Sequence, residues 1–137
     1  IKRYGIKNAL IVGILAWGVR YMLFAFGDTG VKSWMLIFGI LLHGICYDFF
    51  FVSGQIYTDF KAGEKYKSTA QGLITLATYG LGMLIGFRFA GWLTDQYISD
   101  IGHLWKNIWI QPAIFSFVVL TLFLIFFKNE TIKFKSL

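Results

Sequence analysis

Four uninterrupted apolar stretches, at about Asn8 to Gly27, Ser33 to Thr58, Thr69 to Thr94 and Ile108 to Phe127, constrain this chain more than any other feature. A helix rises about 1.5 Å per residue, so about 20 apolar residues cross a hydrocarbon layer roughly 30 Å thick, and each stretch is long enough. The runs are continuous rather than alternating every second residue, which excludes a β-barrel. They predict an all-α membrane protein with four transmembrane helices in a single transmembrane region, residues 1–137. With 57% hydrophobic and 15% charged residues and a mean hydropathy of +0.64, the chain is neither disordered nor a soluble nucleic-acid-binding domain. The lone cysteine, Cys46, excludes an internal disulfide and a cysteine-only metal site. A cleavable signal is disfavoured because the first run is too long and carries Arg20.

Orientation follows from the cations outside the apolar runs. Lys2, Arg3 and Lys7 precede the first run, Lys61, Lys65 and Lys67 lie between the second and third, and Lys128, Lys133 and Lys135 follow the fourth. Those nine face one side, against only Lys32 and Lys106 on the other, so the positive-inside rule places both termini in the cytoplasm. The basic balance is then a lipid-headgroup signal, with no nucleic-acid partner implied. Pro112 is expected in the first turn of the last span, where a missing N–H costs little. Gly82, Gly86 and Ala90 form a small-residue stripe suited to close helix contact, while Gln71, Thr75 and Thr78 recur on one face and can line a path or bond across helices.

An ionisable group inside a span costs on the order of 3 kcal/mol, so each one asks for a partner, a cavity or a task. Arg20, His43, Asp48 and Arg88 are such groups. Asp48 is the sharpest, near the middle of the second span in His43-Gly-Ile-Cys-Tyr-Asp-Phe-Phe-Phe51. A carboxyl at that depth changes charge with a modest change of surroundings, which is what coupling to protons requires. The structural alternative pairs it permanently with an arginine, and Arg20 is the candidate charge partner. His43 and Tyr47, four residues apart, share a helix face. An aromatic ring beside a polar imidazole suits a flat ligand that stacks and hydrogen-bonds, such as a nucleobase or sugar ring.

Catalysis is not expected. An intramembrane aspartyl protease needs two carboxylates sharing a proton, but Gly80-Leu-Gly-Met83 has methionine where the second acid would stand. Ser53 lacks a nucleophile-elbow context, and no cluster of metal ligands is evident, so neither a metal nor a cofactor is implied.

Over essentially its whole length the sequence resembles the C-terminal portion of a nucleoside:proton symporter of the major facilitator superfamily. The resemblance rests on His43-Gly-Ile-Cys-Tyr-Asp-Phe-Phe-Phe51 with Ser53-Gly54, on Ala70-Gln-Gly-Leu73, on Thr78-Tyr-Gly-Leu-Gly82 and on Gly91-Trp-Leu-Thr-Asp95. Lys2-Arg-Tyr-Gly-Ile-Lys7 is similar to the short basic loop between the eighth and ninth helices of that superfamily, so the spans here would be helices nine to twelve. The resemblance implies a bacterial inner-membrane carrier working by alternating access, with a nucleoside and protons as its partners. It implies proton coupling and substrate binding at Asp48 and substrate contact by Tyr47 and His43, and it gives Arg20 and Arg88 no role. The family has twelve helices in two halves. The chain is therefore expected to be a segment that needs the remaining helices and does not transport alone. The competing expectation is a free-standing four-helix membrane scaffold that binds partner helices through the Gly82-Gly86-Ala90 face.

Overall fold

The computed structural model describes residues 5–128. Lys2, Arg3, Lys133 and Lys135, four of the nine orienting cations, lie outside the described residues, as does the start of the N-terminal basic motif. The helices are α1 (Gly5–Phe26), α2 (Ser33–Cys46), α3 (Ser53–Thr75), α4 (Met83–Gln96) and α5 (Trp105–Phe126). Two π-helical segments interrupt the middle of the chain, Tyr47–Val52 between α2 and α3 and Leu76–Gly82 between α3 and α4. A two-residue antiparallel pairing of β1 (Ile98–Ser99) and β2 (Gly102–His103) closes the turn before α5.

Three helices are long and apolar enough to cross a membrane: Gly5–Phe26, the 64-residue continuous run Ser33–Gln96, and Trp105–Phe126. The middle run folds back on itself. A straight helix would separate Tyr47 from Tyr79 by about 48 Å, yet their hydroxyls are 3.0 Å apart. The Gln71 side chain donates to the Gln55 carbonyl, and Lys67 Nζ lies 3.2 Å from Asp59 Oδ2. These three pairs are all centred on residue 63, where Gly63 has φ 67° and ψ 170° inside α3. That combination is accessible to glycine and strained for other residues. The expected loop Asp59 to Ser68 thus contracts to a break at one glycine, with helix continuing to Ala62 and resuming at Glu64. Helix on both sides satisfies the backbone polar groups internally, as an apolar surround demands.

Helix α1 is central, packed along α5 on one side and α2 with the first π segment on the other. Its buried residues are Ile6, Ala9, Leu10, Gly13, Ile14, Ala16, Gly18 and Ala25, five of the eight being glycine or alanine. Small residues let helices approach closely where van der Waals packing, rather than exclusion of water, drives association. Residues 80–92 are exposed throughout, and a Cβ added at Gly86 would meet nothing within 4 Å. The Gly82-Gly86-Ala90 stripe is therefore exposed, and close packing falls on α1 instead. Pro112 also departs from expectation: α5 starts at Trp105, so the proline sits two turns inside the helix.

The clamp at the Gly63 end has a pH signature. Gln71 Nε2 donates to Asp59 Oδ1, and that bond, followed by the contact with Lys67, holds the Asp59 carboxyl below its usual value. A depressed carboxylate stabilises the fold fully above its ordinary range, and that contribution fades as pH falls through the lowered value. The melting temperature of the complete protein should exceed that of Asp59→Asn at neutral pH, with the difference vanishing on acidification. A difference independent of pH would contradict the clamp.

Candidate functional site

The first π segment carries Tyr47 and Asp48, and His43 lies one turn earlier on α2. All three are exposed on the chain's surface. In a π turn each hydrogen bond spans one more residue than in an α turn, which breaks the α-helical register and re-aims the side chains that follow. The turn is seated against α1 through Gly13. A Cβ placed there would stand 2.8 Å from the Phe50 backbone nitrogen and 2.9 Å from the Phe49 carbonyl carbon. Backbone atoms cannot step aside as a flexible side chain can, so glycine is what permits this approach. Cys46 and Ser53, which flank the segment, are buried.

The two π segments meet. Tyr79, from Leu76–Gly82, donates its hydroxyl to the Tyr47 hydroxyl at 3.0 Å. The Phe51 ring lies 5.3 Å from Tyr47 and 5.5 Å from Tyr79, centroid to centroid. Tyr79 lies within Thr78-Tyr-Gly-Leu-Gly82, and nothing in the linear pattern shows that Gly63 folds it back onto Tyr47. Of the polar face expected in the third span, Gln71 bonds across the hairpin, whereas the Thr78 hydroxyl turns back to the Ile74 carbonyl of its own helix. Thr75, Thr78, Gln55 and Tyr79 share a small cavity of about 120 Å³ beneath Phe51.

Arg20, the candidate charge partner of Asp48, is placed beside His43. Its Nη1 lies 3.1 Å from His43 Nδ1, and its guanidinium carbon sits 5.4 Å from the Trp17 ring centroid and 5.2 Å from that of Phe24. No ion pair joins Arg20 to Asp48 among the described residues. The reason lies in the packing of α1 against α2, which puts Arg20 one contact short of the π segment and beside the imidazole. Ring contacts extend the site in both directions: Trp17 meets His43 edge-on at 6.3 Å, His43 faces Tyr47 at 6.4 Å, and on the other side Tyr21 stacks on Trp109 of α5 at 5.9 Å. An aromatic surface interrupted by one imidazole and one guanidinium thus runs from α5 across α1 to both π segments, and Asp48 is exposed on the same π segment as Tyr47. Such a surface can stack a planar ring and direct a few hydrogen bonds to it. Arg88 lies apart on the exposed α4.

Gly13→Ala should destabilise the complete protein by about 1–3 kcal/mol, the range for overpacking a close contact, and should disturb the Tyr47–Asp48 turn. Thermal unfolding of the purified variant checks this, and an unchanged midpoint would contradict the close seating.

The sequence matches the family described as nucleoside H+ symporter over residues 1–132. The putative nucleoside transporter YegT of Escherichia coli K12 is 36% identical, with 94% of this chain and 32% of YegT covered. The nucleoside permease NupG of the same organism is 30% identical, covering 97% and 32%, and its xanthosine permease 30% identical, covering 93% and 31%. The chain therefore spans about a third of the length of these relatives. A crystal structure of the nucleoside transporter NupG superposes with a TM-score of 0.84 at 32% identity, covering 93% of this chain and 32% of that one. An aspartate-to-alanine mutant of NupG superposes with a TM-score of 0.86 at 31% identity, covering 92% and 32%.

Proposed function

Because the chain belongs to the nucleoside H+ symporter family, we propose that it forms the C-terminal third of a carrier that moves nucleosides together with protons by alternating access. It is an all-α membrane chain with the fold of the corresponding part of a nucleoside transporter. With the Ser33–Gln96 hairpin counted as two spans, the chain crosses the membrane four times, with both chain ends in the cytoplasm and a bacterial inner membrane as the setting. The observation that carries the proposal is the family match over nearly the whole chain, joined to a surface on which His43, Tyr47 and Asp48 are displayed outward rather than buried. An outward face of this kind suits a cavity completed by the other helices of a longer carrier. The carrier is favoured over a free-standing scaffold because the relatives that the chain matches are transporters and permeases.

In this mechanism the nucleoside stacks beside Tyr47, with His43 supplying a directed hydrogen bond, and Asp48 binds the proton. Protonation and nucleoside binding favour the same conformations, so a downhill proton draws the nucleoside uphill. The affinity difference that couples them must amount to about 1–3 kcal/mol to be useful. The adjacent π turn suits this role, since its wider helical turn leaves room for the backbone to change register without unravelling in lipid. The conformational change itself requires the other half of the carrier.

Asp48→Asn in the complete protein should abolish accumulation of nucleoside against its gradient while leaving the protein folded and in the membrane. Uptake against a gradient at the unsubstituted level would remove Asp48 from the mechanism.

A further inference from the structure

We infer that Arg20 is a positioning residue: it holds His43 in the neutral tautomer that carries its hydrogen on Nε2, so that the imidazole meets the nucleoside only as a hydrogen-bond donor. The inference rests on the proposed role of His43 in nucleoside binding, and it specifies which atoms of the nucleoside that residue can recognise.

Arginine has five N–H donors and no acceptor, and it stays protonated in proteins. The contact of 3.1 Å between Arg20 Nη1 and His43 Nδ1 is therefore a hydrogen bond in one direction, with Nδ1 offering its lone pair. An imidazole that accepts at Nδ1 is neutral and bears its single hydrogen on Nε2. The guanidinium is itself held in place, lying over Trp17 and Phe24 from its own helix while reaching across to α2. Its Nε is buried and bonds to nothing among the described residues, and its Nη1 makes a directed polar contact with His43. Moving away would forfeit it without a replacement. The Trp17 ring, edge-on to His43, limits rotation of the imidazole from the same side.

The consequence concerns specificity. With Nδ1 occupied, His43 can recognise an acceptor on the ligand, either a carbonyl oxygen of the base or a hydroxyl oxygen of the sugar. It cannot recognise an exocyclic amino group. A site that offers a donor to an oxygen leaves that donor unpaired when the ligand presents an N–H instead, which is where discrimination arises.

The test uses the complete carrier labelled with 15N-histidine, with His43 signals identified by their loss in His43→Gln. Nitrogen shifts should report a neutral His43 with its hydrogen on Nε2. Arg20→Met should convert it to a mixture of tautomers and weaken binding by about tenfold, the scale of one lost directed hydrogen bond. Binding is measured with whichever of uridine, inosine or xanthosine the carrier takes up. Arg20→Gln, which keeps an N–H donor, should restore much of both. A wild-type His43 with its hydrogen on Nδ1, or an unchanged spectrum in Arg20→Met, overturns the inference and leaves the binding-site reading standing. Should Arg20→Met fail to fold, Arg20→Ala takes its place, with the same mixture of tautomers expected and the same unchanged spectrum overturning the inference. If instead His43→Ala leaves affinity for the transported nucleoside unchanged, the binding-site reading fails at this residue, whatever its tautomer.

Discussion

The constraint on which everything else depends is that this backbone lies in an apolar surround and must satisfy its N–H and C=O groups within itself. Helix is the response almost everywhere, and the exceptions are informative. At Gly63 the chain reverses through one residue with positive φ, keeping its unpaired backbone groups to a minimum. At the two π segments the helix widens rather than breaks. The backbone remains hydrogen-bonded while the side chains of Tyr47, Asp48 and Tyr79 take up positions that a regular α-helix would not give them. The sites of interest are thus where the helical rule is bent, not where it is abandoned.

Close packing follows from the same setting. Between helices in lipid no water is released, so contact depends on fit and on directed polar interactions. Gly13 lets α1 approach the backbone of the first π segment, and Gly18 lets it accept the Phe117 ring of α5. Arg20 would cost on the order of 3 kcal/mol if stranded in hydrocarbon. Two aromatic faces and the His43 nitrogen offset this, cation–π contacts being worth about 1–2 kcal/mol when desolvated. The cation that solves its own burial problem in this way also sets the chemical character of the neighbouring imidazole. Stability and recognition are joined at that contact.

Much of this was legible in the residues. Continuous apolar runs announced the membrane helices, and the motif around Tyr47 and Asp48 announced the family. Pairing was harder to read. Charge alone pairs Arg20 with Asp48, whereas helix packing puts the guanidinium against His43, and nothing in linear spacing reports which face of α1 meets α2. Glycine spacing drew attention to Gly82, Gly86 and Ala90, although a regular stripe need not find a partner within the same chain. The packing residues of α1 are less regular, because Trp17 stands where the four-residue series from Ala9 and Gly13 would continue. The Tyr47–Tyr79 contact had no sequence signal, since it depends on the reversal at Gly63.

The central claim is that nucleoside and proton move together through the complete carrier. Its most direct test is the pH of a weakly buffered medium outside vesicles containing that protein when a transported nucleoside is added without an imposed proton gradient. Coupled entry predicts alkalinisation of the medium in proportion to the nucleoside taken up. Nucleoside entry with no accompanying movement of protons would contradict the account.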